Sequence, residues 1–471
     1  MSRRARTLVS YCTFGALTAA LLAGCPDREV SQVLPGQDKA EVKDIPLQLN
    51  RNLDLLFVVD NSGSMTEEQA GLTANFPKFI QVLDQVQGGR PDLHLGVIST
   101  NVGAGHFNIS KCDAPGDDGH LLQGPGTTVG GGGTACAGIN AGAKFLSDVA
   151  NTDGSRSTNY SGELKDVFSC MAALGTTGCG LEAPLESMRK ALDPANAFNS
   201  GFIRQNAFLG IVIISDEDDC SMRDSTVFNP TSNLGPINFR CTRFGISCDG
   251  DPELLNMGPR TNCRPNEASQ YAYGVNEYVN FVRGLKSDPN SIVVAGILGN
   301  PEPVAIGPNT HENKPTEPAL VQSCETANGF AVPSVRTFNF LQGFPNRNSF
   351  TTICATDLSD ALVNIASLIK EVIGDPCIQG TLKDVNPTVD GVQPDCVVSQ
   401  VVDPNTDHEV ETILPGCVPA GAGAHTNTPC WYFEEDLAQC SMTPSKLKLK
   451  TDYGGASAPA NTHIKAQCVV N

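Results

Sequence analysis

Eighteen cysteines in 471 residues constrain this chain more than any other feature. Thiols scattered at that density are a liability in a reducing cytosol, so the sequence reads as one that folds in an oxidising compartment. The N-terminus supplies a route. Arg3, Arg4 and Arg6 form a basic start, and residues 14–23 form an apolar, small-residue stretch too short to span a bilayer comfortably. Residues 1–24 therefore read as an export signal.

The signal ends in Leu22-Ala23-Gly24-Cys25, which resembles the lipobox of bacterial lipoproteins. The resemblance implies cleavage before Cys25, a lipid on that residue and a place in the cell envelope. The outer membrane, its periplasmic face and the cell surface all fit. Cys12 then leaves with the signal and Cys25 is acylated, so sixteen of the eighteen cysteines remain, an even number that permits eight disulfides. No CxxC pair occurs, which argues against a zinc site. Residues 25–47 read as a polar tether between lipid and fold.

Charge narrows the partners. Lys and Arg total 32 against 51 Asp and Glu, a formal net charge of −19. A phosphate backbone rewards clustered cations, so nucleic acid is excluded as a partner. Apolar residues at 40% are enough for a core, and the chain is no disordered acidic tail.

Four short runs rich in Val, Ile and Leu stand out at residues 53–60 (LDLLFVVD), 93–100 (LHLGVIST), 208–216 (FLGIVIISD) and 291–299 (SIVVAGILG). Three of them barely alternate, which marks strands buried on both faces. Helical stripes lie between them: Leu72, Phe76, Phe79, Ile80 and Leu83; Leu181, Leu185, Met188 and Leu192; Val275, Tyr278, Val279, Val282 and Leu285. A last stripe follows at Leu358, Leu362, Ile365, Ile369 and Val372. Pro77 interrupts the first stripe and predicts a kink or a second segment there. The alternation predicts an α/β domain over residues 48–375, a doubly wound, mostly parallel sheet flanked by helices.

Long stretches at 102–160, 219–266 and 300–322 break the alternation, and their cysteines suggest stapled insertions. The glycine run at 130–133 has no GK[ST] after it and no strand immediately before it, so it does not read as a phosphate loop and no nucleotide is expected. Residues 376–471 hold six cysteines and the single tryptophan, Trp431, and predict a small disulfide-rich β domain.

Chemistry concentrates after the first strand, in Asp60-Asn61-Ser62-Gly63-Ser64. Oxygen-bearing side chains at i, i+2 and i+4 in a turn can converge on one point. In open α/β sheets, sites form at the carboxyl ends of strands. Residues 53–65 (LDLLFVVDNSGSM) resemble the opening of a von Willebrand factor type A domain with its metal-ion-dependent adhesion site. In that family a Thr ahead of a helix and an Asp ending a later strand complete the site. Thr177 matches the first by counting back from Gly180, with Thr176 as second choice because Gly178-Cys179 is not the usual pair there. Asp216 matches the other. The resemblance thus implies a metal site of Asp60, Ser62, Ser64, Thr177 and Asp216.

All five are hard oxygen donors, suited to Mg²⁺ first and to Ca²⁺ or Mn²⁺. With two carboxylates against one divalent cation, such a site is near neutrality and open to a further ligand. The expected partner is a protein, or another acidic ligand, offering an Asp or Glu carboxylate. Glu217-Asp218-Asp219 offers carboxylates for a second cation, although an acidic turn of this kind is ordinarily solvated. No HExxH or GxSxG occurs, and the seven His do not cluster, so no enzyme is expected. The competing readings are a structural envelope protein whose cation only stabilises the fold, and a hydrolase with an unrecognised site in 376–471.

Overall fold

The computed structural model describes residues 39–46 and 51–470, apart from 87–88, 128–132, 152, 287–288, 311–313, 327–328, 356, 375, 379, 387, 389–391, 404–407, 422–423, 438–439, 441–442, 457 and 460–461. The expected signal, Cys25, the first part of the tether and most of the 130–133 glycine run lie outside the described residues. The chain divides into two compact units, one of Leu49–Asp375 and one of Pro376–Asn471 together with the segment before residue 49.

Leu49–Asp375 is mixed α/β, with a central, mostly parallel sheet between helices. Its seven strands are β1 (Asn52–Val59), β2 (Asp92–Ser99), β3 (Leu146–Ala150), β4 (Arg156–Thr158), β5 (Phe208–Ser215), β6 (Ile292–Leu298) and β7 (Asn348–Thr352), in the order β7-β6-β5-β1-β2-β3-β4. From β7 to β2 the neighbours are parallel, and β3 and β4 add an antiparallel edge. The chain leaves β1 to one side for β2 and returns on the other side as β5. The sheet therefore changes winding direction between β1 and β5, and such a switch leaves a crevice outside the strand ends.

The near-continuous apolar strands follow from burial on both faces. Leu53, Leu55, Phe57 and Val59 pack with helices α1 (Thr66–Leu83), α2 (Leu164–Ala172) and α7 (Ser359–Gly374). The alternate residues Leu56 and Val58 pack on the opposite face with α3 (Pro184–Leu192), α5 (Val275–Arg283) and α6 (Val335–Gln342). Pro77 lies inside α1, which runs through it as one helix rather than two segments. Pro184 begins α3, and the preceding Leu181 packs outside the helix in a satellite core. Proline suits that first turn because its missing N–H would lack a helical partner anyway.

All sixteen expected cysteines pair. Five bonds fall in the α/β unit, Cys112–Cys179, Cys136–Cys170, Cys220–Cys241, Cys248–Cys263 and Cys324–Cys354. The insertions carry structure of their own. One holds α4 (Ile237–Gly245), and a four-stranded sheet joins Ile246–Asp249, Gly258–Pro265, Val304–Asn309 and Lys314–Leu320.

The other unit holds three disulfides, Cys377–Cys440, Cys396–Cys468 and Cys417–Cys430. Its main sheet orders Lys39–Pro46, Thr462–Val470, Cys396–Val402 and Val410–Leu414, all antiparallel. Lys39–Pro46 corrects an expectation. Within the predicted tether it forms an edge strand, with Lys39 opposite Val470 and Pro46 opposite His463. An edge position tolerates its terminal proline, because one side of the strand makes no ladder. Cys417, His425 and Cys430 come close together, but the two cysteines are joined to each other and offer no thiolate to a metal.

Candidate metal centre

Asp60 follows β1 directly, and its N–H donates to the Ile214 carbonyl at 2.9 Å, extending the ladder with β5 by one bond. The chain then turns sharply. Asp60 Oδ1 accepts the Ser62 N–H at 2.8 Å, an Asx turn that brings Ser62 and Ser64 back towards the strand end. Asp60 Oδ2 accepts the hydroxyl of Ser215, the last residue of β5, at 2.6 Å. The Ser62 and Ser64 hydroxyls lie 3.0 Å apart. Asp60, Ser62, Ser64 and Ser215 thus lie together at the switch point, with Asp216 directly after Ser215. Asp60 is 0% exposed and Asp216 2%.

The third loop is fastened to the first. Gln69, buried on α1, donates to the main-chain oxygens of Asp60 at 2.6 Å and Gly175 at 2.8 Å, and its Oε1 accepts the Gly175 N–H at 3.0 Å. The Gly178 N–H donates to the Asn61 carbonyl at 2.7 Å. A Cβ at Gly178 would stand 2.0 Å from Asn61 Oδ1, so a side chain there would displace the Asn61 amide. Cys112–Cys179 pins the same loop. Within it the Thr177 side chain is exposed and Thr176 is half-buried.

Beside Ser62 and Ser64 opens a cleft of about 370 Å³. Its wall from the third-loop side is Gly180, Leu181 and Glu182, and apolar contributions come from Phe239, Leu320 and Phe330. No Lys or Arg is among the described residues that line it.

In the acidic turn after β5, Asp218 and Asp219 are held by the fold. Asp218 accepts the N–H groups of Arg336 at 2.9 Å and Thr337 at 3.2 Å, capping the start of α6. Asp219 accepts the Leu185 N–H at 3.1 Å at the start of α3 and pairs with the buried Arg336 at 2.9 Å. Two of the three acidic residues are therefore structural. Glu217 lines the cleft, and its N–H donates to Ser215 Oγ at 3.1 Å.

Burial resists charge throughout this group. It raises the Asp60 carboxyl, although the Ser215 and Ser62 donors oppose the shift. Asp216 is raised well above the carboxylate range by burial and by the neighbouring charges of Asp60 and Glu217. Glu182 is raised likewise by burial, Glu217 and Asp60. Glu68, on the first turn of α1, is pushed up to about 6 by burial, with smaller contributions from Glu67 and Asp60. Carboxylates packed together without cations favour protons or a metal.

Sequence reading missed Gln69, Glu68, Glu182 and Ser215. Gln69 carried a signal, being polar on the apolar face shared with Leu72 and Phe76. Glu182 carried a weaker one, as an acid between the apolar Leu181 and Ala183.

No family model matches the chain, and no curated relative matches it. Among solved structures it is similar to the pilus adhesin RrgA from Streptococcus pneumoniae, at 11% identity and a TM-score of 0.30 over 94% of this chain and 60% of that one. It is also similar to a von Willebrand factor type A structure from Catenulispora acidiphila, at 9% identity and a TM-score of 0.26 over 93% and 66%. The adhesive tip pilin GBS104 from Group B Streptococcus agalactiae gives 10% identity and a TM-score of 0.29 over 94% and 84%. The chain thus spans less than two thirds of the first two neighbours. Similarity this loose carries no functional argument, and the reading rests on the site's own residues.

Proposed function

We propose that the chain binds a partner through a divalent cation held by Asp60, Ser62, Ser64 and Asp216, with a hydroxyl from Thr177 or Thr176. The observation that carries this is Asp216, whose Oδ1 is buried without a hydrogen-bond partner directly after Ser215, the residue that binds Asp60. An orphaned buried carboxylate oxygen is costly unless something occupies it. The donor set is all oxygen, which fits Mg²⁺, with Ca²⁺ and Mn²⁺ as alternatives. When bound, such an ion supplies an electrophilic position for an Asp or Glu carboxylate of a protein ligand.

The residues around it have separate tasks. Ser215 and the Ser62 N–H orient the Asp60 carboxylate, and Gln69 holds the third loop in register. The cleft beside Ser62 and Ser64 gives the rest of the ligand a partly apolar wall. Nothing in this arrangement requires turnover, and we read the chain as a binding protein rather than an enzyme.

We place it in the cell envelope, lipid-anchored at Cys25. Lys39–Pro46 belongs to the C-terminal unit by strand pairing, so an anchor at Cys25 would be tied to that unit. Calorimetric titration of the metal-free full chain with Mg²⁺ tests the site. Binding by the wild type and its loss in Asp60→Ala and Asp216→Ala are expected, and equal binding by all three would overturn the proposal.

A further inference from the structure

In the C-terminal unit, Cys417, His425 and Cys430 each bring one ligand atom to within 4.8 Å of the others. His425 Nδ1 lies 2.7 Å from Asp452 Oδ2, and Asp452 stands directly opposite Cys430 where Cys430–Glu435 pairs with Leu447–Asp452. A carboxylate at Nδ1 fixes the imidazole as the tautomer that leaves the Nε2 lone pair for a metal. The two sulfurs are engaged by their mutual bond, which closes a sequence separation of 13, the shortest among the described disulfides. In the chain-entropy account the shortest loop constrains the unfolded chain least, so opening it costs the fold least. Main-chain bonds hold the ligands independently of it. The Cys417 N–H donates to the Trp431 carbonyl at 2.8 Å and the Trp431 N–H to the Pro415 carbonyl at 3.0 Å. Pro419 pairs with His425, and the Thr426 N–H donates to the Val418 carbonyl at 3.1 Å.

We propose that Cys417, Cys430 and His425 become a Zn²⁺ site when their disulfide is reduced by an external dithiol. In that step the Sγ–Sγ bond breaks and two thiols form. The dithiol supplies two electrons and two protons and leaves as its own disulfide. Zn²⁺ then displaces both thiol protons. Two thiolates and a neutral imidazole make a three-ligand site with a fourth position open to water or a partner, and Asp452 orients the imidazole. Disulfide and metal are thus alternative cross-links between the same strands. Thiolate softness favours Zn²⁺ over the Mg²⁺ and Ca²⁺ that suit the strand-end site, so the inference stands apart from the function proposed above. No CxxC announces the site because its ligands meet across strands.

The full chain is opened with limiting dithiothreitol, freed of it by gel filtration without oxygen, and titrated with Co²⁺ and then with competing Zn²⁺. The thiolate-to-Co²⁺ charge-transfer absorption reports sulfur ligation, and oxygen ligands at the strand-end site give no such band. Alkylation and peptide mapping are expected to find Cys417 and Cys430 opened first. The reduced wild type is expected to show the band and lose it to one Zn²⁺, while the oxidised chain and the reduced Cys417→Ser/Cys430→Ser variant show none. Asp452→Asn, with both thiols intact, is expected to bind Zn²⁺ about ten- to a hundredfold more weakly. A reduced wild type with both thiols free by alkylation but no band overturns the inference. So do a band that persists in the double serine variant, unchanged affinity in Asp452→Asn, and another disulfide opening first.

Discussion

Ser215 donates its hydroxyl hydrogen to Asp60 Oδ2 at 2.6 Å, joining the ends of two adjacent parallel strands, β5 and β1, in one bond. The bond is buried and favours the ionised carboxylate against a burial penalty. Ser215→Ala removes that donor, and a bond to a charged group contributes about 1.5–3 kcal/mol. Mg²⁺ affinity is expected to fall about tenfold or more in calorimetric titration, with the fold retained. Unchanged affinity would show that Asp60 needs no such orientation.

Gln69 holds three main-chain groups at once. Gln69→Leu keeps the volume and abandons all three, and each buried group left unsatisfied costs about 1–3 kcal/mol. We expect a loss on the order of 3 kcal/mol in urea unfolding, together with weaker cation binding. A variant as stable as the wild type would remove Gln69 from the account.

Glu68, Asp60, Asp216 and Glu182 all have folded-state affinities for protons above those of ordinary carboxylates. Without a cation the folded chain therefore holds protons that the unfolded chain releases. Their contribution is complete below the ordinary carboxylate range, about pH 4.5 for Glu68, and is lost as pH rises through about 6 and beyond. Midpoint temperatures in EDTA should fall between about pH 5 and about pH 7.5, and saturating Mg²⁺ should raise them more at the higher pH. An equal Mg²⁺ effect at both pH values would count against a carboxylate-rich site.

Cys112–Cys179 closes a sequence separation of 67 residues and pins the loop that carries Gly178 to the 102–160 insertion. Replacing both cysteines with Ala should cost about 2–4 kcal/mol in denaturant unfolding. Cation affinity should drop with it. Loss of stability with full affinity would mean the loop is positioned by Gln69 and Asn61 alone.

Much of this was legible in the sequence because its signals are local. β1, β2, β5 and β6 announce themselves through continuous apolar runs, since both of their faces are covered. Asp60, Ser62 and Ser64 sit within five residues, and Asp216 ends a strand of the same type. What escaped notice depends on distant partners. β7 (NSFTT) is a half-buried edge strand without an apolar run. Lys39–Pro46 gives no local strand signal because its pairing partner, Thr462–Val470, lies at the other end of the chain. Glu182 and Gln69 gain meaning only when α3 and α1 bring them to the ends of β1 and β5. The acidic run 217–219 lines the cleft as a whole, and no periodicity marks Asp218 and Asp219 as the two that accept helix N–H groups.

The central claim is that a partner is held through the cation. Full-length chain is immobilised and exposed to envelope extract in Mg²⁺, in EDTA, and as Asp60→Ala in Mg²⁺. The account predicts one partner retained by the wild type in Mg²⁺, released by EDTA and absent from the variant. A partner that stays bound in EDTA and on Asp60→Ala would contradict it.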